Sequence, residues 1–301
     1  MVQSLHQTKG HDAMWNKLFA GSAANLLIAV VSALLLVINT HVVKTEPGEI
    51  DLTDYTLTFC DEFDGDSLNT QVWHTHNSNG LRKGGYWSDS QCSVSDGSLV
   101  ITTEYKEDGE FGAGWYTGAL ATSGSFEQTY GYYECRCILP EGQGLWSAFW
   151  LTCHGSGKEN GTGRLGAELD VFESPYGCLP GRASWKVTSN IHYNGYGLAT
   201  RYKNVVISAL GNDPYENYNT YGLLWTEDGY VYYINGTEVG RSSFGGVSEV
   251  PEYMVISCEI DGAAGQPTPG WSGDIRLNRE GRDFSSEFTV DYIRAYSLPS
   301  E

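Results

Sequence analysis

The sequence predicts an all-β fold, a sandwich or barrel built as one domain, on three observations. From about residue 55 to 296 the texture is uniform: short runs of β-branched and aromatic residues separated by Gly, Asn and Asp, as in SVSDGSLVITTEY, YGYYECRCIL and SSEFTVDYIRAY. Regularly spaced short strands of this kind pack as two sheets or close into a barrel. Hairpin signals lie between such runs, EDG and then NG within YGLLWTEDGYVYYINGTEVG. Composition agrees, with 13% aromatic residues and 37 glycines against only 18% charged residues, a mix that suits strands better than a helical bundle. No stretch after residue 45 holds a helical period for three turns.

Taken in order, residues 1–17 read as a polar tail and residues 18–40 as a hydrophobic segment, LFAGSAANLLIAVVSALLLVIN, without a charge. An apolar run of this length can span a bilayer core as a helix of about 20 residues. It follows Lys9 and Lys17, and no Ala-x-Ala site stands in VINTHVVKT, so an uncleaved signal-anchor is favoured over a cleaved signal peptide, with a buried core helix as the third reading. Residues 41–53 form a polar linker, and residues 54–298 carry the strand pattern without an internal repeat or a Pro/Ser-rich break. Export to the cell surface or the extracellular space is expected, with the membrane engaged only through the N-terminal segment.

The formal net charge is −19. A field of that sign repels phosphate backbones and argues against nucleic-acid partners. Seven cysteines, Cys60, Cys92, Cys135, Cys137, Cys153, Cys178 and Cys258, show no metal-type CxxC spacing. They read as small core residues, and Cys135 and Cys137, two apart on a strand, share a face without being able to bridge each other easily.

The chemistry concentrates in AELDVFES, residues 167–174, where Glu168, Asp170 and Glu173 sit among Leu169, Val171 and Phe172. Strand alternation puts Glu168 and Asp170 on one face and Glu173 on the other. A β-bulge at Val171 and Phe172 would place two residues in one pleat step and turn Glu173 back to the shared face. Without it, Glu173 would enter the core unpaired at a cost of several kcal/mol. Two glutamates on one face, with carboxyls about 5–5.5 Å apart, are the retaining glycosidase arrangement. Asp170 between them would raise the proton affinity of a neighbouring glutamate. An exposed acidic edge or a calcium loop is the competing reading, but a calcium loop calls for Gly and Asn/Asp around a turn rather than Leu, Val and Phe.

With these acids on the page, the chain resembles glycoside hydrolase family 16, in the laminarinase-like branch with a β-bulged E-x-D-x-x-E strand. The resemblance rests on an ordered set: FCDEFDGDSLNTQVW, VSDGSLVI, YGYYECRCILPEGQGLWSAFWL, GAELDVFE, YGLLWTEDGYVYYING and FTVDYIRAY. It implies a β-jelly-roll of two antiparallel sheets with a concave substrate cleft. It implies Glu168 as nucleophile, Glu173 as general acid/base and Asp170 as assisting carboxylate, with no cofactor for catalysis. Trp146 and Trp150, four apart in WSAFW, would stack on sugar rings, since an indole covers the apolar face of a pyranose. His192 in SNIHYNGYG matches a cleft histidine, with Trp115 and Arg136 as further cleft candidates. A structural Ca2+ on the convex face would be held by the carbonyls of Glu62 and Gly97 and by the Asp291 side chain. The chain departs from the family pattern at Ser147, where Pro is common, and at Gln91 and Asn219, which touches the sugar subsites rather than the acids.

The expected function is therefore endo-hydrolysis of a neutral β-1,3- or mixed-linkage β-1,3(4)-glucan by a monomer. The same chemistry on a galactan or on host O-glycans is the alternative. A non-catalytic glucan-binding sandwich would usually lack one glutamate of the pair, and a transglycosylase would differ only in how acceptor sugars compete with water.

Overall fold

The computed structural model describes residues 41–42, 50–176, 186–210 and 212–298. The hydrophobic segment at 18–40, expected as a helix, and most of the linker lie outside the described residues, as does Cys178. From residue 50 onward the chain forms two sheets face to face. The main strands are β1 (Thr56–Asp61), β2 (Ser98–Lys106), β3 (Gly114–Thr117), β4 (Ala119–Ala121), β5 (Gly131–Ile138), β6 (Leu145–Thr152) and β7 (Glu168–Pro175). They continue as β8 (Lys186–Tyr193), β9 (Arg201–Ala209), β10 (Asn219–Thr226), β11 (Gly229–Ile234), β12 (Thr237–Ser242), β13 (Tyr253–Ile260) and β14 (Ser285–Ser297).

The first sheet runs β9-β8-β7-β6-β13-β4, and the second runs β12-β11-β10-β5-β14-β2-β3, with β1 also paired to β14. The strands of these two runs pair antiparallel, and the short strand Gly85–Trp87 joins β3 in parallel. Apolar side chains alternate along the strands and meet between the sheets. Phe149, Leu151, Leu169, Phe172, Ile191 and Ile256 of the first sheet join Tyr133, Cys135, Leu223 and Phe288 of the second in one buried cluster. The cysteines follow the core reading: Cys135, Cys137, Cys153 and Cys258 are buried free thiols, whereas Cys60 is exposed.

The strand β7 carries the bulge. Against β6 the register passes from Trp150↔Asp170 to Phe149↔Phe172, so Val171 has no partner of its own. Against β8 it passes from Asp170↔Asn190 to Glu173↔Thr188. Val171 and Phe172 both enter the core, where the Phe172 ring lies 4.3 Å from that of Tyr221 and meets Phe288 edge-on. The chain enters β7 through Gly166 at φ +120, where a Cβ would lie 2.2 Å from the Cys153 sulfur; only glycine fits this turn.

Glu252 anchors the same approach from the side. Its carboxyl is fully buried and accepts a hydrogen bond from the Ala167 amide at 3.2 Å. Burial pushes its pKa from the ordinary 4.5 up to about 8, because the charged form loses its hydration.

Two of the expected cleft residues are corrected by this architecture. Trp115 lies on β3 in the second sheet, buried in the core against Tyr105 and Phe284. Arg136 on β5 points out of the second sheet between its buried neighbours Cys135 and Cys137, away from the acids. Its partner there is Asp291, the expected calcium ligand, and its guanidinium also lies over the Tyr218 ring at 4.3 Å. The register does bring the expected calcium region together, since β14 pairs Ile293 with Asp61 and Val290 with Leu99. The donor set does not fit a cation, however, because the one side-chain carboxylate in it is already neutralised by a guanidinium. A Ca2+ ion would sit beside a fixed positive charge.

Replacing Phe172 by Ala should lower unfolding free energy by about 3–5 kcal/mol, read from the denaturant midpoint, while Phe172→Leu costs under about 1.5 kcal/mol. Between pH 4.5 and about 8 folded Glu252 retains a proton that the unfolded chain has released, so its contribution to stability falls as pH rises through that window. Glu252→Gln should therefore flatten the decline in Tm across this range; a Tm profile identical to that of the parent would contradict the assignment.

Candidate active site

Residues that alternate with the core positions of the first sheet form a cleft of about 600 Å3 on its outer face. Strand register arranges them in cross-strand rows. Trp146 pairs with Glu259, and Ala148 lies between Ser257 and Glu173, which in turn faces Thr188. Asp170 sits between Trp150 and Asn190, with Asn204 beyond. Glu168 faces His192, with Tyr202 beyond. All three acids thus share the cleft face, Glu173 by virtue of the bulge. Trp146, Trp150 and His192 are there with them, while Trp115 and Arg136 are not among the residues lining the cleft.

Each acid is held differently. Glu173 accepts from the Trp146 indole Nε1 at 2.8 Å and from the Asn190 amide. Asn190 is itself fixed by Thr188 at 3.2 Å and by the Asn204 amide at 2.6 Å. Glu168 accepts from the Tyr196 hydroxyl at 2.7 Å. Asp170 lies deepest, with Oδ2 3.4 Å from His192 Nε2 and no hydrogen-bond partner on that oxygen.

Burial raises the pKa of all three, since each would lose hydration as an anion. Glu173 is raised well above the ordinary range by burial and then by the charges of Asp170 and Glu168. Asp170 is raised well above by burial and by Glu168. Glu168 is also raised by burial, but the His192 and Tyr196 contacts pull it back down. The arrangement is therefore asymmetric: Glu168 is the acid most readily ionised, and Glu173, like Asp170, is strongly inclined to keep a proton. A nucleophile and a proton donor need those opposite states.

Aromatic side chains frame the acids. Trp146 meets Trp271 edge-on with ring centroids 4.9 Å apart, and Trp271 is 39% exposed. On the other side Tyr202 stacks nearly parallel to the His192 ring at 5.7 Å and is 64% exposed. Trp150 donates to Ser257 Oγ at 3.1 Å and packs against His76. Near Trp146, Glu259 receives Arg82 Nε at 2.7 Å and Lys83 Nζ at 2.6 Å, and the Lys83 ammonium lies 3.5 Å from the Trp146 ring centre.

Comparison with known proteins completes the assignment. Residues 55–298 match the family model described as beta-porphyranase A-D, GH16 domain. The chain belongs to glycoside hydrolase family 16. Among curated relatives of this family-16 chain, the endo-1,3-1,4-beta-glycanase EglC of Rhizobium meliloti (strain 1021) is 33% identical over 218 residues, 71% of this chain and 41% of EglC. ExsH of the same organism, also an endo-1,3-1,4-beta-glycanase, is 34% identical over 213 residues, 69% of this chain and 40% of ExsH. The chain thus spans about two fifths of the length of these relatives. The laminarinase catalytic domain of Thermotoga maritima MSB8 superposes with a TM-score of 0.65 at 24% identity, covering 82% of this chain and all of that domain. That likeness carries the fold, the family's jelly roll.

Sequence reading missed Tyr196, Asn190, Tyr202, Arg82, Lys83, Glu259 and Trp271. Asn190 carried a signal, standing two positions before His192 and so on the same strand face. Tyr196 and Trp271 come from loops, which leave no periodicity to read.

Tyr196→Phe should lower kcat/KM by about 3–30-fold, the worth of about 0.7–2 kcal/mol for one partly exposed charge-assisted hydrogen bond. Because the lost bond lowers the Glu168 pKa, its removal moves the acid limb of the kcat/KM profile to higher pH. A loss of activity with the acid limb unmoved would show that Tyr196 does not act through Glu168.

Proposed function

We propose that this chain is a retaining endo-glycosidase that cuts β-1,3- or mixed-linkage β-1,3(4)-glucan by double displacement. The observation that carries the reading is the protonation asymmetry across one cleft face. Glu168, favoured as the anion by Tyr196 and His192, attacks the anomeric carbon, while Glu173 gives its proton to the departing glycosidic oxygen. A glycosyl ester on Glu168 results. Glu173, now a carboxylate, takes a proton from an incoming water that attacks the ester carbon and frees Glu168. Trp146 Nε1 and the Asn190 amide hold Glu173 in line through both steps. Burial and the negative charge of Glu168 keep the proton on Glu173 in the first step, with Asp170 beside them as the assisting carboxyl, and no metal or organic cofactor enters the sequence.

An open groove lined by Trp146, Trp271 and Tyr202 supports action within a polymer rather than at its end. The glucan assignment draws on the rhizobial glycanases. A β-galactan such as porphyran is the second reading. It is favoured by the porphyranase description of the matching family model and by Arg82 and Lys83 in the cleft wall, whose charges suit an anionic substituent better than a neutral chain. Export to the cell surface, a monomeric state and attachment through residues 18–40 remain part of the proposal on sequence grounds alone.

Assays of laminarin, lichenan, agarose and porphyran for new reducing ends separate the two substrates. Laminarin or lichenan should yield a ladder of oligosaccharides whose newly formed ends are first β by NMR. Glu168→Gln should reduce turnover by at least about a thousandfold, since the group that forms the covalent bond is lost. Cleavage of porphyran alone would transfer the reading to galactans, and wild-type activity in Glu168→Gln would remove Glu168 from the mechanism.

A further inference from the structure

The catalytic row also brings together donors of the types that ligate a metal ion. Among the described residues, ligand atoms of Glu168, Asp170 and His192 all lie within 4.8 Å of one another. Asp170 is 3% exposed, and its Oδ2 has no hydrogen-bond partner although it faces His192. A buried carboxylate oxygen left unsatisfied is costly and marks a position where another group can complete it.

The spacing is informative. Asp170 Oδ2 and His192 Nε2 are 3.4 Å apart, too long for a good hydrogen bond. Adjacent ligands on a tetrahedral zinc-type ion, with bonds of about 2.0–2.2 Å, stand about 3.3–3.5 Å apart. Glu168 is half-buried at the cleft surface, and its carboxylate lies within the same 4.8 Å set. One imidazole and two carboxylates on one face, with open space toward the cleft, leave a fourth position for water. Imidazole in the set selects a borderline transition ion and disfavours Ca2+ and Mg2+, which take oxygen ligands.

We propose that Glu168, Asp170 and His192 form a binding site for a divalent transition ion of the Zn2+ or Co2+ class. The two rows that supply it, Glu168↔His192 and Asp170↔Asn190, are adjacent in the sheet, so the ligands are preset by strand register rather than by a loop. An ion there takes the Glu168 carboxylate and excludes a sugar from the anomeric position. It acts as a reversible inhibitor, displaced by a chelator, rather than as a participant in turnover. The site depends on the geometry of these side chains and not on which polysaccharide is cut.

The test is Co2+ titration of the tag-free full chain, followed by visible absorption, with Zn2+ as competitor. Wild type should develop the strong bands of four- or five-coordinate cobalt, and stoichiometric Zn2+ should abolish them. His192→Gln and Glu168→Gln, both at half-buried positions, should each weaken binding by at least about tenfold, one of three protein ligands being lost. The weak spectrum of fully hydrated cobalt with wild type, or unchanged affinity in both variants, overturns the site. The readout is independent of hydrolysis, so a failed metal site leaves the glycosidase reading intact, and an inactive wild type that binds cobalt leaves the metal site intact.

Discussion

The active face depends on one extra residue. A regular strand running through ELDVFE would send Glu173 into the same core that holds Leu169 and Phe172, with the desolvation cost of an unpaired carboxyl. Placing Val171 and Phe172 together on the core side removes that conflict and adds apolar area to the sandwich. The neighbouring strands accommodate the change. β6 shifts register between Phe149 and Trp150, and β9 has a step of its own opposite Ser189 and Asn190. The bulge is thus part of a distortion that crosses the sheet and is held from behind by the close contact of the Phe172 and Tyr221 rings.

Crowding three acids on this face sets their chemistry. Each anion raises the proton affinity of the others, and burial raises all of them. What separates their roles is the inventory of donors. Glu168 has a hydroxyl and lies opposite an imidazole, whereas Glu173 is met by an indole and an amide, neutral donors that position a carboxyl without adding a positive charge. The strong cations of the cleft, Arg82 and Lys83, are drawn to Glu259 instead. The Arg82 charge still reaches Glu168 and helps hold it ionised, but no guanidinium acts on Glu173 to strip it of its proton. Placing the cations one row away preserves the raised proton affinity on which leaving-group protonation relies.

Much of this was legible from the sequence because period-2 alternation links a side chain's identity to its face. The all-β strand pattern, the bulge, and the shared face of Trp146 and Trp150 follow from that parity, whereas the jelly roll and the place of His192 came from the family resemblance. Parity does not say which sheet a strand joins, and this is why Arg136 was misplaced. It alternates with Cys135 and Cys137 as a cleft residue would, but β5 lies in the second sheet, where the outward face looks away from the acids. Trp115 fails for a different reason. In GWYT every residue is buried, since Tyr86 and Phe111 cover Tyr116 on the outer side while Trp115 fills the core. A strand covered on both faces has no alternation to read.

What escaped the sequence falls mostly at the cleft rim. Tyr196 sits between Gly195 at φ +76 and Gly197, on a turn whose conformation decides whether its hydroxyl reaches Glu168. Trp271 arrives from a loop closed on Asp261, which accepts from the Ser272 hydroxyl at 2.6 Å. Lys83, at positive φ between Arg82 and Gly84, is brought over Trp146 by a tight turn whose Gly84 amide donates to the Ile260 carbonyl. The division has a physical basis. Bond-making groups need positions fixed within a fraction of an ångström, which a hydrogen-bonded ladder supplies. Groups that choose among sugars must vary without disturbing that ladder, and loops permit it. The departures at Ser147, Gln91 and Asn219 leave the row of acids intact. Under the proposed function, selectivity between a neutral glucan and a charged galactan would fall to the cleft-lining Lys83, Arg82, Trp271 and Tyr202 rather than to the strand that carries the acids.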